Sequence, residues 1–285
     1  MNSNWQLLTF PELEDITQAK ELCHQAIQNV SAVGRNFLPK EQEDSQSNLE
    51  WDAKLQRLAG RWIETESITF RSSFSLIEFK VYLVDKDLNT LSSISMQDKV
   101  QNDVMIWLEK ELKEIGLESS HIDLAYPYKI PEYPTAKGKP FHIINFVALR
   151  ELSRLYHNTA FILKELRKSE ATMTHTRCWP HHFDIAARIV RLDTGDPTTS
   201  KSISLGMSPG DHYYKEPYFY ATPWPYITEG LSDISHTLAH WHDEDWIGAV
   251  LPVSKLKNLV LIQDQRNQVI HFFKEALRIL KEHAV

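Results

Sequence analysis

Between His175 and Trp246 the chain gathers most of the side chains capable of chemistry. The segment holds Cys178-Trp179-Pro180-His181-His182-Phe183-Asp184, then Ser208-Pro209-Gly210-Asp211, Glu216-Pro217-Tyr218-Phe219-Tyr220, and His240-Trp241-His242-Asp243-Glu244-Asp245-Trp246. On a strand, residues two apart share a face, so His182 would point with Asp184, and His240 with His242. A carboxylate beside an imidazole fixes its tautomer, and both groups ligate zinc, iron or manganese. His-x-His presents two nitrogens to one ion. These four residues are the expected metal ligands, and Asp211 or Glu216 the expected extra ligand or general base.

Each of these features has a blander meaning. A His–Asp pair can simply satisfy its own hydrogen bonds in a polar core. Tyr218, Tyr220, Trp224 and Trp241 could line a groove for a sugar or another flat ligand, or pack as an aromatic core. Asp243-Glu244-Asp245 reads as a solvated acidic turn, and Cys178 as a small buried hydrophobe. His236 joins His240 and His242 on one face only if the strand starts that early.

Bulk properties narrow the classes. A net charge of -7 with scattered lysines and arginines argues against a nucleic-acid partner, which needs a clustered basic surface. Only nine glycines occur, and none form a dinucleotide or phosphate-loop fingerprint, so no nucleotide cofactor is expected. Two distant cysteines, Cys23 and Cys178, suggest free thiols in a reducing compartment. The first residues lack the basic-then-apolar order of a signal peptide, and no apolar run reaches the ~20 residues that span a bilayer. The expectation is a cytoplasmic protein with no membrane or nucleic-acid partner and a small-molecule ligand; the oligomeric state is not set by the sequence.

The elements that must position these groups follow from periodicity. Helical stripes run over 11–33 (capped by Thr9, stopped by Gly34), 49–62, 98–115, 143–166 and 262–283. Residues 40–47 read as a loop. Alternation predicts a strand through Ile77, Phe79, Val81 and Leu83, a turn at 85–89 and a strand at 90–95. Further strands are predicted at 184–192, 202–207, 217–222, 236–242 and 246–251. Tyr126 to Pro134 carries three prolines and cannot be a regular helix. The reading is an α+β fold, a mainly antiparallel sheet covered by long amphipathic helices. It divides into a half over 1–125, a connector over 126–142, and a half over 143–285 that carries the site. Both halves read helix, strands, helix.

From Trp179 to Leu251 the chain resembles a family of bacterial proteins of unknown function. The resemblance lies in the segments Trp179-Pro180-His181-His182-Phe183-Asp184, Pro209-Gly210-Asp211 with Glu216-Pro217-Tyr218-Phe219-Tyr220, and Trp246-Ile247-Gly248-Ala249-Val250-Leu251. It implies that these segments belong to one fold and supplies no reaction. The expected function is a metal-dependent enzyme or metal-binding protein; the alternative is a non-catalytic module that binds a small molecule or carbohydrate.

Overall fold

The computed structural model describes residues 4–117, 122–196 and 198–283. The expectation about the extreme N-terminus falls partly outside them. The chain is α+β with two antiparallel sheets. It forms two compact units, the first made of Glu14–Ser153 with Cys178–Phe183, the second of the remaining described residues. Among the described residues no helix is long and apolar enough to cross a membrane.

In the first unit, α1 (Leu13–Phe37) precedes a short hairpin, β1 (Glu50–Asp52) and β2 (Arg57–Ala59), then β3 (Ile63–Glu64), β4 (Thr69–Ser75), β5 (Lys80–Asp85), β6 (Thr90–Ser95) and α2 (Gln101–Glu114). The sheet runs β1-β2-β4-β5-β6, with β3 on β4. Ala32 and Val33 of α1 and Met105, Leu108 and Leu112 of α2 pack on Phe70 and Leu83, joining both helices to the sheet. α1 continues through Gly34, where a Cβ would stand 2.3 Å from the Gln46 carbonyl oxygen. That glycine admits a neighbouring 3-10 turn (Gln42–Ser47) and does not end the helix. Nor does Thr9 cap it; its hydroxyl accepts from Arg154 at 2.9 Å.

The helix expected over 49–62 is the β1–β2 hairpin. Trp51 and Leu58, which fit a helical stripe, are cross-strand partners. Asp52 Oδ1 accepts the N–H groups of Lys54 and Leu55 at 2.8 and 3.0 Å, an Asx turn that reverses the chain. Ile77 to Phe79 is a turn between β4 and β5, not the start of a strand. The 126–134 stretch lies within this unit.

α3 (Phe146–Leu166) carries the chain into the second unit; β7 (Arg177–Trp179) straddles the division, with Cys178 and Trp179 in the first unit, and β8 (Asp184–Leu192), β9 (Lys201–Ser208), β10 (Tyr218–Trp224), β11 (His240–His242), β12 (Gly248–Pro252) and α4 (Ile262–His283) follow in the second. Their order is β11-β12-β10-β9-β8-β7. The register sets two faces. Met207 pairs with Ile185 and Phe219, and Phe219 with Leu251, so these four fully buried side chains share one face. α4 lies against it, with Phe219 edge-on to Phe273 at 6.0 Å, a pair worth about 0.5–1.5 kcal/mol beyond its buried area.

Candidate functional site

On the other face of this sheet the same registers align Ala186, Gly206, Tyr220, Val250 and His240. Asp184, Tyr218 and His242 lie two residues along their strands and so share that face. Six of the expected site residues, counting Trp224 at the far end of β10, therefore stand on one side of one sheet. Trp241 does not: it pairs with Ala249 on the α4 side, and its indole N–H donates to the Ser232 carbonyl at 2.9 Å. Trp224 is on the polar face at the far end of β10, exposed, with its ring edge-on to Tyr226 at 5.5 Å.

The tyrosines are tied to carboxylates. Tyr220 donates to Asp184 Oδ2 at 2.5 Å. Tyr218 donates to Asp211 Oδ2 at 2.5 Å, while Asp211 Oδ1 accepts the N–H groups of Tyr213 and Tyr214, each at 2.9 Å. Burial, then the facing aspartate, holds each of these two phenols well above its ordinary pKa, so both stay protonated donors. Asp211 thus braces the loop after Gly210 (φ 106°) with both of its oxygens. Glu216 is likewise committed: its two oxygens accept the Ser254 N–H at 2.8 Å and hydroxyl at 2.9 Å, anchoring the 3-10 turn Val253–Leu256. Neither carboxylate stands open as a general base.

His240 and His242 do converge, on a residue the sequence reading left without a role. The Tyr214 hydroxyl lies 2.9 Å from His240 Nε2 and 3.0 Å from His242 Nδ1. Direction follows from the far side of His242, whose Nε2 faces the Glu244 carbonyl at 2.7 Å. A carbonyl only accepts, so Nε2 carries the proton and Nδ1 is bare. Tyr214 donates to that bare nitrogen, and its oxygen accepts from the His240 Nε2–H. The result is a one-way series from exposed His240 through half-buried Tyr214 to buried His242. Tyr214 also lies 4.9 Å from the Tyr218 ring and 5.5 Å from His242; Tyr213 and Trp246 flank His242 at 4.9 and 4.3 Å. Burial, then His242 and Lys255, lower the His240 pKa.

His182 is not on a strand. Residues 180–183 form a turn, closed by the Phe183 N–H on the Trp179 carbonyl at 2.8 Å, and Phe183 takes a left-handed φ of 56°. The period-two argument that aligned His182 with Asp184 therefore fails; His182 is exposed and its ring neighbours His181 at 4.2 Å. Asp184 is the buried first residue of β8. His236 sits in a separate 3-10 turn, Ser235–Thr237. Among the described residues no group of three or more His, Cys, Asp and Glu side chains is arranged to hold a metal ion. The expected set of His182, Asp184, His240 and His242 is thus not assembled.

A second polar cluster, in the first unit, was also missed. His24 of α1 is buried, with Nε2 donating to the Pro180 carbonyl at 2.9 Å and Nδ1 accepting from the Tyr133 hydroxyl at 2.9 Å. Its ring stacks on Phe183 at 5.5 Å and 9°. Burial pushes its pKa down to about 4. The signal was present: His24, Gln25, Gln28, Asn29 and Ser31 break the apolar stripe yet are all buried, and buried polar groups need partners. Cys23 and Cys178 are both buried, and neither is in a disulfide.

No family model, curated protein or solved structure matches the chain.

Proposed function

We propose that the protein binds a small polar molecule at the His240–Tyr214–His242 corner and exchanges a proton with it through His240. The observation that carries this reading is the directed series of hydrogen bonds whose outer end is an exposed imidazole. With its pKa lowered, His240 is uncharged at neutral pH; its Nε2–H goes to Tyr214, so its bare Nδ1 can accept a proton from a ligand hydroxyl. Surrounding rings supply apolar contact, and the few fixed polar atoms supply orientation, the usual division of labour in small-molecule sites. Asp184, Asp211 and Glu216 act here as supports for Tyr220, the 211–214 loop and Ser254.

The test is ligand-observed NMR with a panel of small hydroxy and carbonyl compounds, followed by imidazole 15N spectra. A binder should shift His240 and His242 signals and lose at least tenfold affinity in His240→Ala and Tyr214→Phe. A panel in which every binder ignores both substitutions would sink the proposal.

One observation favours a second reading, in which the corner holds a zinc, iron or manganese ion. His240 Nε2 and His242 Nδ1 approach the same oxygen, and the Glu244 carbonyl orients the His242 ring as carbonyls do behind metal-ligating histidines. The ligands would be the two imidazoles and the Tyr214 oxygen, and the chemistry Lewis-acid activation of water or oxygen chemistry. Calorimetric titration of the metal-free chain with zinc separates the readings: saturable binding abolished by His242→Ala supports the ion.

A further inference from the structure

In the first unit, five rings gather where the 126–134 stretch meets the Trp179–Phe183 turn. Tyr126 and Tyr128 stack at 5.1 Å and 13°. Tyr128 lies 5.5 Å from His181, Trp179 meets His181 edge-on at 6.0 Å, and His182 completes the row. His182 is exposed and the other four are half-buried, so each ring keeps part of its surface open.

The turn that presents the two histidines is fixed by buried groups. Pro180 O accepts both the His24 imidazole N–H at 2.9 Å and the Gln28 amide at 2.8 Å. Gln28 Oε1 in turn accepts from the Tyr128 hydroxyl at 2.9 Å, so one glutamine side chain holds both sides of the ribbon in register. Phe183 sits at a positive φ with its ring fully buried against His24. Such a conformation costs on the order of 1–3 kcal/mol and persists where the surroundings over-determine it. What this arrangement yields is two adjacent imidazoles at the surface.

Neither imidazole forms a hydrogen bond to another described residue. Burial, then His182, push His181 down to about 4, leaving it uncharged with one N–H donor and one bare acceptor nitrogen. That combination suits neighbouring hydroxyl groups, each of which also donates and accepts. The nearby Arg35 guanidinium, 5.9 Å over Tyr126, donates to Ser31 Oγ at 2.8 Å. We infer that this ribbon is a carbohydrate-binding surface, with a neutral sugar ring laid against Tyr128 and Trp179 and its vicinal hydroxyls on His181 and His182. This is a different surface, in the other unit, from the His240 corner.

The experiment is saturation-transfer NMR on the full chain with methyl glycosides of glucose, galactose, mannose and N-acetylglucosamine, and with cellobiose and maltose. At least one should bind, with its Kd raised tenfold or more by His181→Ala and by His182→Ala. His182 is exposed, so that variant keeps the test valid should His181→Ala not fold. Ile106→Ser, on the exposed side of α2, should leave glycoside binding unchanged. Binding of none of these sugars, or binding indifferent to His182→Ala, would each overturn the inference.

Discussion

Gly206 lies beneath the ring of Tyr220, its partner across the β9–β10 ladder. A Cβ at Gly206 would stand 2.7 Å from both Cζ and Oη of that tyrosine, and 2.7 Å from the Ile185 carbonyl oxygen. The bare backbone lets the ring cross β9 and reach Asp184 on β8. Gly206→Ala should therefore displace the ring, break the Tyr220–Asp184 hydrogen bond and destabilise by about 1–3 kcal/mol, as overpacking does. Urea unfolding measures it; an unchanged midpoint would mean that the ring does not depend on the glycine.

Tyr214→Phe keeps the ring and removes the oxygen on which His240 and His242 meet. Buried His242 Nδ1 then loses its donor, a loss worth about 1–3 kcal/mol. The 15N shift of that nitrogen should move, and the unfolding midpoint should fall. A variant as stable as the parent, with unshifted His242 signals, would show that the hydrogen-bond series is not formed.

Glu216 separates support from chemistry. Its carboxylate accepts two hydrogen bonds from Ser254 at the start of a 3-10 turn. Glu216→Ala should cost about 0.5–2 kcal/mol, as loss of a cap does, while leaving ligand affinity at the His240 corner within twofold. A variant of full stability that binds no ligand would instead return Glu216 to the site.

What the sequence made legible follows from which side chains announce their geometry. Alternation along β10 put Tyr218 and Tyr220 on one face, as they are; Asp184 was aligned with His182 instead, and only the β8–β9–β10 register brings it to the tyrosines' face. The His240-x-His242 spacing worked for the same reason. His182 was misplaced because the reversal at 180–183 is made by a phenylalanine in a left-handed conformation, with no glycine or asparagine to signal it. Trp51, Leu55, Leu58 and Trp62 satisfy a helical period by coincidence, since cross-strand partners in a short hairpin can also fall seven residues apart. The carboxylates of Asp211 and Glu216 looked available because a sequence does not display the backbone N–H groups that occupy them.

The last prediction concerns acid. His24 has a pKa lowered from 6.5 to about 4 in the folded protein, so the unfolded chain binds the extra proton between those values. Stability then rises with pH there: the favourable contribution is complete above pH 6.5 and disappears as pH falls towards 4. At 1.36 kcal/mol per pH unit the loss from His24 by pH 4.5 is about 2–3 kcal/mol. Urea unfolding at pH 7 and pH 4.5 should show it, and His24→Gln, whose amide can still donate to the Pro180 carbonyl, should flatten that part of the curve. The direct check is the His24 ring-proton titration by NMR. A midpoint near 6.5 would mean that the ring is not sealed between Phe183 and Tyr133, and the pH dependence would have to come from elsewhere.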